Sequence, residues 1–166
     1  MITHEELERR AASLIDTFRQ TGLTVATAES CTGGLVSGFL TEVAGSSKVF
    51  ERGFVTYSNE AKTELLGVPK EVLEEHGAVS EPVARSMAVG AIAASRADVA
   101  VSITGIAGPG GGSPGKPVGL VHFGAMKRFG VTAHREMRFG DLGRHQVRLE
   151  SVAVALELLI ETSGCR

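Results

Sequence analysis

The sequence predicts a three-layer α/β/α sandwich on a mixed, mostly parallel sheet of about five strands, and three observations carry that expectation. Strand-like and helix-like segments alternate through most of the chain, as βα units do. Residues 98–103 form an almost continuous apolar run (Asp-Val-Ala-Val-Ser-Ile), as a strand covered on both faces requires. Residues 118–126 and 131–139 flank a turn at 127–130 and read as one hairpin.

The elements follow in order. Thr3 and Glu6 form a capping-box pattern, and Leu7, Ala11, Leu14, Ile15 and Phe18 keep helical spacing until Gly22. Residues 23–28 read as a short strand that runs into Glu29-Ser30-Cys31-Thr32-Gly33-Gly34. A helix is expected over 34–43, broken by Ala44-Gly45-Ser46-Ser47, and a second strand over 49–57. Three helices should fill residues 59–95, with Pro69 and Pro82 at first-turn positions that tolerate proline. The buried strand over 98–103 empties into a glycine-rich stretch, the hairpin follows, and a last helix spans 143–161 with Val152, Ala155, Leu156 and Leu159 inward. No linker or repeat interrupts the pattern, so residues 1–166 read as one domain.

Composition excludes several classes. With 43% hydrophobic and 22% charged residues, the chain is neither a disordered tail nor a membrane protein. Its start lacks a leader pattern, and no apolar run nears the ~18 residues of a bilayer span; a cytoplasmic, membrane-free protein is expected. A net charge of −2, scattered cations, no Trp and one Tyr argue against a nucleic-acid partner. Cys31 and Cys165 form no CxxC pair, and the five histidines show no metal-ligand spacing, so free thiols and no metal are expected. Domains of this class and size often self-associate, so a homo-oligomer is expected.

In open α/β sheets, ligands sit beyond the carboxyl ends of parallel strands. Three segments here place polar groups there: Ser30 and Thr32 after the first strand, Tyr57 and Asn59 with Lys62 after the second, and Thr104 with its glycine loop after the third. A hydroxyl at a strand-to-helix turn can be exposed beside backbone N–H groups that hold an anion, although Ser30 or Thr32 could equally cap the helix. A Ser–Lys pair works only if the amine is neutral, so burial or a neighbouring cation must pull Lys62 well below the usual ~10.4. A solvated helix lysine is the plainer reading. Cys31 is a rival nucleophile at the same turn. Five glycines between Gly105 and Gly112 suit a phosphate better than a plain connector, yet match neither the Walker A nor the GxGxxG pattern.

Taken together, Thr27-Ala-Glu-Ser-Cys-Thr-Gly-Gly34, Gly45-Ser-Ser47, Gly53-Phe-Val-Thr-Tyr-Ser-Asn-Glu-Ala-Lys62, Gly77-Ala-Val-Ser-Glu-Pro-Val-Ala84, Ser102-Ile-Thr-Gly-Ile-Ala-Gly-Pro109 and Lys116-Pro-Val-Gly119 resemble the CinA C-terminal domain family, collinearly and over nearly the whole chain. At 166 residues the chain resembles the stand-alone members, the nicotinamide-nucleotide amidohydrolases. That resemblance implies conversion of nicotinamide mononucleotide and water to nicotinate mononucleotide and ammonia, without metal or cofactor. It implies Ser30 as nucleophile, Lys62 as base and Tyr57 as its helper. The backbone of Thr32, Gly33 and Gly34 would hold an oxyanion or phosphate. Thr104, Gly105, Gly108 and Gly110 would line the nucleotide, with Ser47 and Asn59 as further polar contacts. The competing readings are a non-catalytic nucleotide-binding or competence-associated module, and a hydrolase of another small amide or phosphate ester.

Overall fold

The structure is a computed structural model that describes residues 1–165. Thr3 caps α1 (His4–Thr21) by accepting from the Glu6 N–H at 3.2 Å. Glu6 pairs with Arg9 and Arg10, so only half of the expected capping box forms. Gly22, at φ 73°, and Leu23 close the helix by donating to the Phe18 carbonyl. Leu23 therefore belongs to the helix cap, and β1 (Val25–Glu29) begins two residues later than the pattern suggested.

After α2 (Leu35–Thr41) and a 3-10 turn (Ser46–Lys48) the chain enters β2 (Phe50–Val55). Three helices follow, α3 (Asn59–Leu66), α4 (Lys70–His76) and α5 (Glu81–Ala93). The remaining elements are β3 (Val99–Gly105), the hairpin β4 (Leu120–Lys127) and β5 (Thr132–Arg138), and α6 (Arg144–Ser163). Strand order is β2-β1-β3-β4-β5. The first three strands are parallel, while β4 and β5 pair antiparallel, so the four pairings divide evenly. "Mostly parallel" thus describes only the half of the sheet that carries the polar segments.

Alternation along the strands sorts the two layers. Val25, Val99, Val101, Ile103, Val121 and Phe123 face α1, α2 and α6, against Leu14, Phe18, Leu40, Val152 and Leu156. Ala26, Ala28 and Ala100 face the opposite layer, against Leu66, Val83, Met87 and Ala91. The side chains on this second face are small, and α5 comes close because of it. Ser102 Oγ donates to the Ala84 carbonyl of α5 at 2.6 Å and accepts the Gly124 N–H at 3.1 Å. A Cβ at Gly124 would stand 2.3 Å from that same carbonyl oxygen. Gly124→Ala must push α5 off the sheet and is expected to cost about 2–3 kcal/mol. A urea-unfolding midpoint equal to wild type would show that α5 is less tightly seated.

Candidate active site

Because β1, β2 and β3 run parallel, their carboxyl ends meet at one edge, and a cleft of about 220 Å³ opens there. Ser30, Cys31, Tyr57, Asn59, Lys62, Thr104 and Gly105 line it, joined by Ala78, Val79, Ala107 and Arg144.

Ser30 follows β1 directly, and its N–H continues the ladder to Ile103 O at 3.0 Å. The next residues turn sharply under the control of Glu29, whose carboxylate is fully buried. Its oxygens accept from Thr32 Oγ1 at 2.7 Å, the Val36 N–H at 2.9 Å, and the Ser37 N–H and hydroxyl at 3.1 and 2.8 Å. A carboxylate at a helix N-terminus satisfies donors that the helix leaves unpaired. Thr32 is therefore spent on Glu29 through its side chain.

Lys62 reaches Ser30 from α3. Ser58 caps that helix by accepting the Ala61 N–H at 3.0 Å. This turns the chain so that Lys62, one helical turn in, points back at the end of β2. Its side chain is 1% exposed, and Nζ lies 3.0 Å from Ser30 Oγ, 2.9 Å from Thr56 O and 3.3 Å from Tyr57 O. Among the described residues no carboxylate pairs with it. Burial, the dominant cause, holds the amine below the ordinary lysine range. Nζ also lies 3.5 Å from Ser58 O, and the Ser30 hydroxyl donates to Tyr57 O at 3.5 Å. As a neutral amine Lys62 can keep its N–H groups on the carbonyls and turn its lone pair to Ser30 Oγ. Such an arrangement can take a proton from Ser30. Cys31, its neighbour, is in the opposite position, because burial pushes its thiol up to about 12 and keeps it protonated.

Other expected residues are placed differently. Tyr57 lines the cleft, but its hydroxyl accepts from Arg144 Nη2 at 3.0 Å; what it offers Lys62 is its backbone carbonyl. The Gly33 N–H is occupied by Ser30 O at 3.0 Å, so Gly33 has no free donor, and Gly34 is the left-handed N-cap of α2. The N–H groups of Cys31 and Thr32 have no partner among the described residues. Thr104 Oγ1 donates to Ala78 O at 2.8 Å and so ties the loop before α5 to the cleft wall. Asn59 lines the cleft, whereas the exposed Gly110 stands outside its lining. Ser47 needs correction: it precedes β2, at the amino edge of the sheet, where Val49 O accepts from Val25 N–H. A strand's length separates it from the cleft, because β2 must cross the sheet before it delivers Tyr57.

Arg144 and Arg148 were not expected. Arg144 donates to Gly108 O at 2.8 Å and to the Tyr57 hydroxyl, which bridges the glycine loop and β2 across the cleft mouth. Arg148 donates from Nε to Cys31 O and from Nη2 to Thr32 O, both at 3.1 Å. The signal was available, because α6 starts with arginine and carries no acid in its first turn, against the helix dipole. The histidines lie elsewhere, and among the described residues no group of three His, Cys, Asp or Glu side chains could hold a metal ion.

Residues 7–163 match the family described as the CinA C-terminal domain. The chain belongs to that family. It is 53% identical over 159 residues to the nicotinamide-nucleotide amidohydrolase PncC of Escherichia coli (strain K12), which spans 95% of each chain. It is 50% identical over 155 residues to a CinA-like protein of Citrifermentans bemidjiense, covering 93% of this chain and 36% of that longer one. The crystal structure of the competence/damage inducible protein CihA from Agrobacterium tumefaciens superposes with a TM-score of 0.95 at 54% identity, over 98% of this chain and 99% of that one.

The Lys62 geometry has a pH consequence. Only the neutral amine can accept the serine proton, so Ser30 reactivity should rise with pH through a pKa below the ~10.4 of free lysine and then level off. Release of p-nitrophenol from p-nitrophenyl acetate across a pH series measures it, with Ser30→Ala as background. An inflection at the ordinary lysine value, or the same profile in Lys62→Arg, would refute the assignment.

Proposed function

We propose that the chain hydrolyses the carboxamide of nicotinamide mononucleotide to nicotinate mononucleotide and ammonia through a serine nucleophile and a lysine base. The observation that carries this reading is the buried Lys62 amine 3.0 Å from Ser30 Oγ, in a chain 53% identical to a nicotinamide-nucleotide amidohydrolase. Ser30 Oγ attacks the amide carbon while Lys62 takes its proton, and the oxyanion lies against the free N–H groups of Cys31 and Thr32. Lys62 then hands the proton to the departing nitrogen, which leaves as ammonia and a nicotinoyl ester on Ser30. Water, deprotonated by the same amine, cleaves the ester, and Lys62 returns that proton to the departing Ser30 Oγ as nicotinate mononucleotide is released. Tyr57 helps by fixing Lys62 with its carbonyl, and its ring flanks the substrate.

Arg144 stands at the cleft mouth, paired among the described residues with neutral acceptors only. Its guanidinium suits the substrate phosphate, with Thr104, Gly105 and Gly108 beside the ribose and Asn59 on the opposite wall. The reading calls for no metal or cofactor and places the enzyme in the cytoplasm. Among the described residues no helix is long and apolar enough to cross a membrane. The hairpin tip, with Phe129 98% and Val131 88% exposed, supports self-association into a homo-oligomer.

A non-catalytic module is the second reading, favoured by the competence names among relatives. A binder needs glycines and an arginine, but it gains nothing from desolvating a lysine against a serine. Ammonia release from nicotinamide mononucleotide without added metal separates the two. Wild type and Cys31→Ala should turn over, while Ser30→Ala and Lys62→Ala should lose about 100-fold or more. Nicotinamide riboside, which lacks the phosphate, should be a poor substrate. Wild type that binds the nucleotide and never releases ammonia would establish the module instead.

A further inference from the structure

Among the described residues two backbone donors beside Ser30, the N–H groups of Cys31 and Thr32, have no partner, and their directions are set by what holds the carbonyls of the same peptides. In a trans peptide, C=O and N–H point opposite ways. Ser30 O, in the peptide that carries the Cys31 N–H, accepts from Gly33 at 3.0 Å. Cys31 O, in the peptide that carries the Thr32 N–H, accepts from Arg148 Nε at 3.1 Å. Arg148 reaches the turn from α6, so its grip on Cys31 O turns the Thr32 N–H away from α6, buried directly behind the cleft wall that Ser30 and Cys31 form. Its second arm holds Thr32 O at 3.1 Å, which stops the neighbouring peptide from rotating.

Arg148 is half-buried, and among the described residues it pairs with no carboxylate. Its whole charge is directed at these two carbonyls. A charged donor on a carbonyl polarises the peptide and strengthens the N–H at its other end. The planar fork holds both oxygens at once, which a lysine ammonium on a single point cannot do.

We infer that Arg148 is a positioning residue for the hydrolysis: it orients and polarises the Thr32 N–H as an oxyanion donor, without touching substrate. This rests on the amidohydrolase reading, and it assigns Arg148 a share of transition-state stabilisation. Such a donor acts on charge that develops during reaction, so its loss should appear in kcat and leave KM nearly unchanged.

The test uses the full chain with Arg148→Met, which keeps an apolar stem, Arg148→Lys, which keeps the charge, and Arg148→Ala, which leaves room for guanidinium ion. Turnover of nicotinamide mononucleotide is measured for each. Arg148→Met and Arg148→Lys should lose about 100-fold in kcat with KM within about twofold. The aldehyde analogue of the substrate, which forms a hemiacetal oxyanion with Ser30, should lose affinity in parallel. Guanidinium ion added to Arg148→Ala should restore part of kcat, a response that mere packing would not give. Should Arg148→Met fail to fold by circular dichroism, Arg148→Lys and the rescue carry the test. Wild-type kcat in Arg148→Lys, a rise in KM alone, or unchanged binding of the aldehyde by a folded variant would overturn the inference. Wild type that releases no ammonia would instead sink the amidohydrolase reading, which keeps the two failures apart.

Discussion

A lysine amine enclosed to 1% exposure, with no carboxylate paired to it among the described residues, has given up its water for neutral oxygens, and that unfavourable exchange organises the site around it. The carbonyls that receive it, Thr56 O and Tyr57 O, belong to the two residues that continue β2 past its last regular position. The residue that aims it is Ser58, whose side chain starts α3 immediately afterwards. Strand end, cap and lysine are therefore one device within a short stretch of chain. The serine it meets comes from the neighbouring strand, so the pair exists only because β1 and β2 are parallel and in register, with Glu29 opposite Val55.

The rest of the fold brings that edge together and closes it. Small side chains on one face of the sheet let α5 approach, and with it the loop that carries Ala78 and Val79 into the cleft. On the other face α6 supplies two arginines one turn apart: Arg144 spans the mouth and Arg148 grips the turn after β1. Glu29 anchors the same turn from beneath through the start of α2. The Ser30 turn is thus fixed by the buried Glu29 side chain on one side, through Thr32 Oγ1 and the start of α2, and by Arg148 on the other, through two backbone carbonyls. Among the described residues this leaves the N–H groups of Cys31 and Thr32 without a partner.

Much of this was legible in the sequence because it is local. Helix caps at Thr3 and Gly22, the apolar run that became β3, and the hairpin depend on neighbours a few residues away. The convergence of Ser30, Lys62 and Thr104 followed from one inference, that polar residues after parallel strands share an edge. What was not legible depends on direction and on long-range contacts. Ser47 resembles a site residue by composition but lies at the wrong end of β2. Gly33 looks like an open donor until its N–H is seen to close on Ser30 O. Tyr57 reads as a partner of Lys62, yet its hydroxyl is taken by Arg144, 87 residues away. The two arginines are unremarkable on a helix until the turn they reach is in view, although a first helical turn with arginine and no acid was a clue.

The central claim is that Ser30, activated by a neutral Lys62, carries the acyl group between two half-reactions. Rapid acid quench of wild type turning over nicotinamide mononucleotide, followed by mass spectrometry of its peptides, tests this most directly. The account predicts a nicotinoyl-nucleotide ester on the peptide that holds Ser30, mapped to the Ser30 hydroxyl and absent in Ser30→Ala. An adduct on Cys31 or any other side chain, or a Ser30→Ala protein that turns over like wild type, would contradict it.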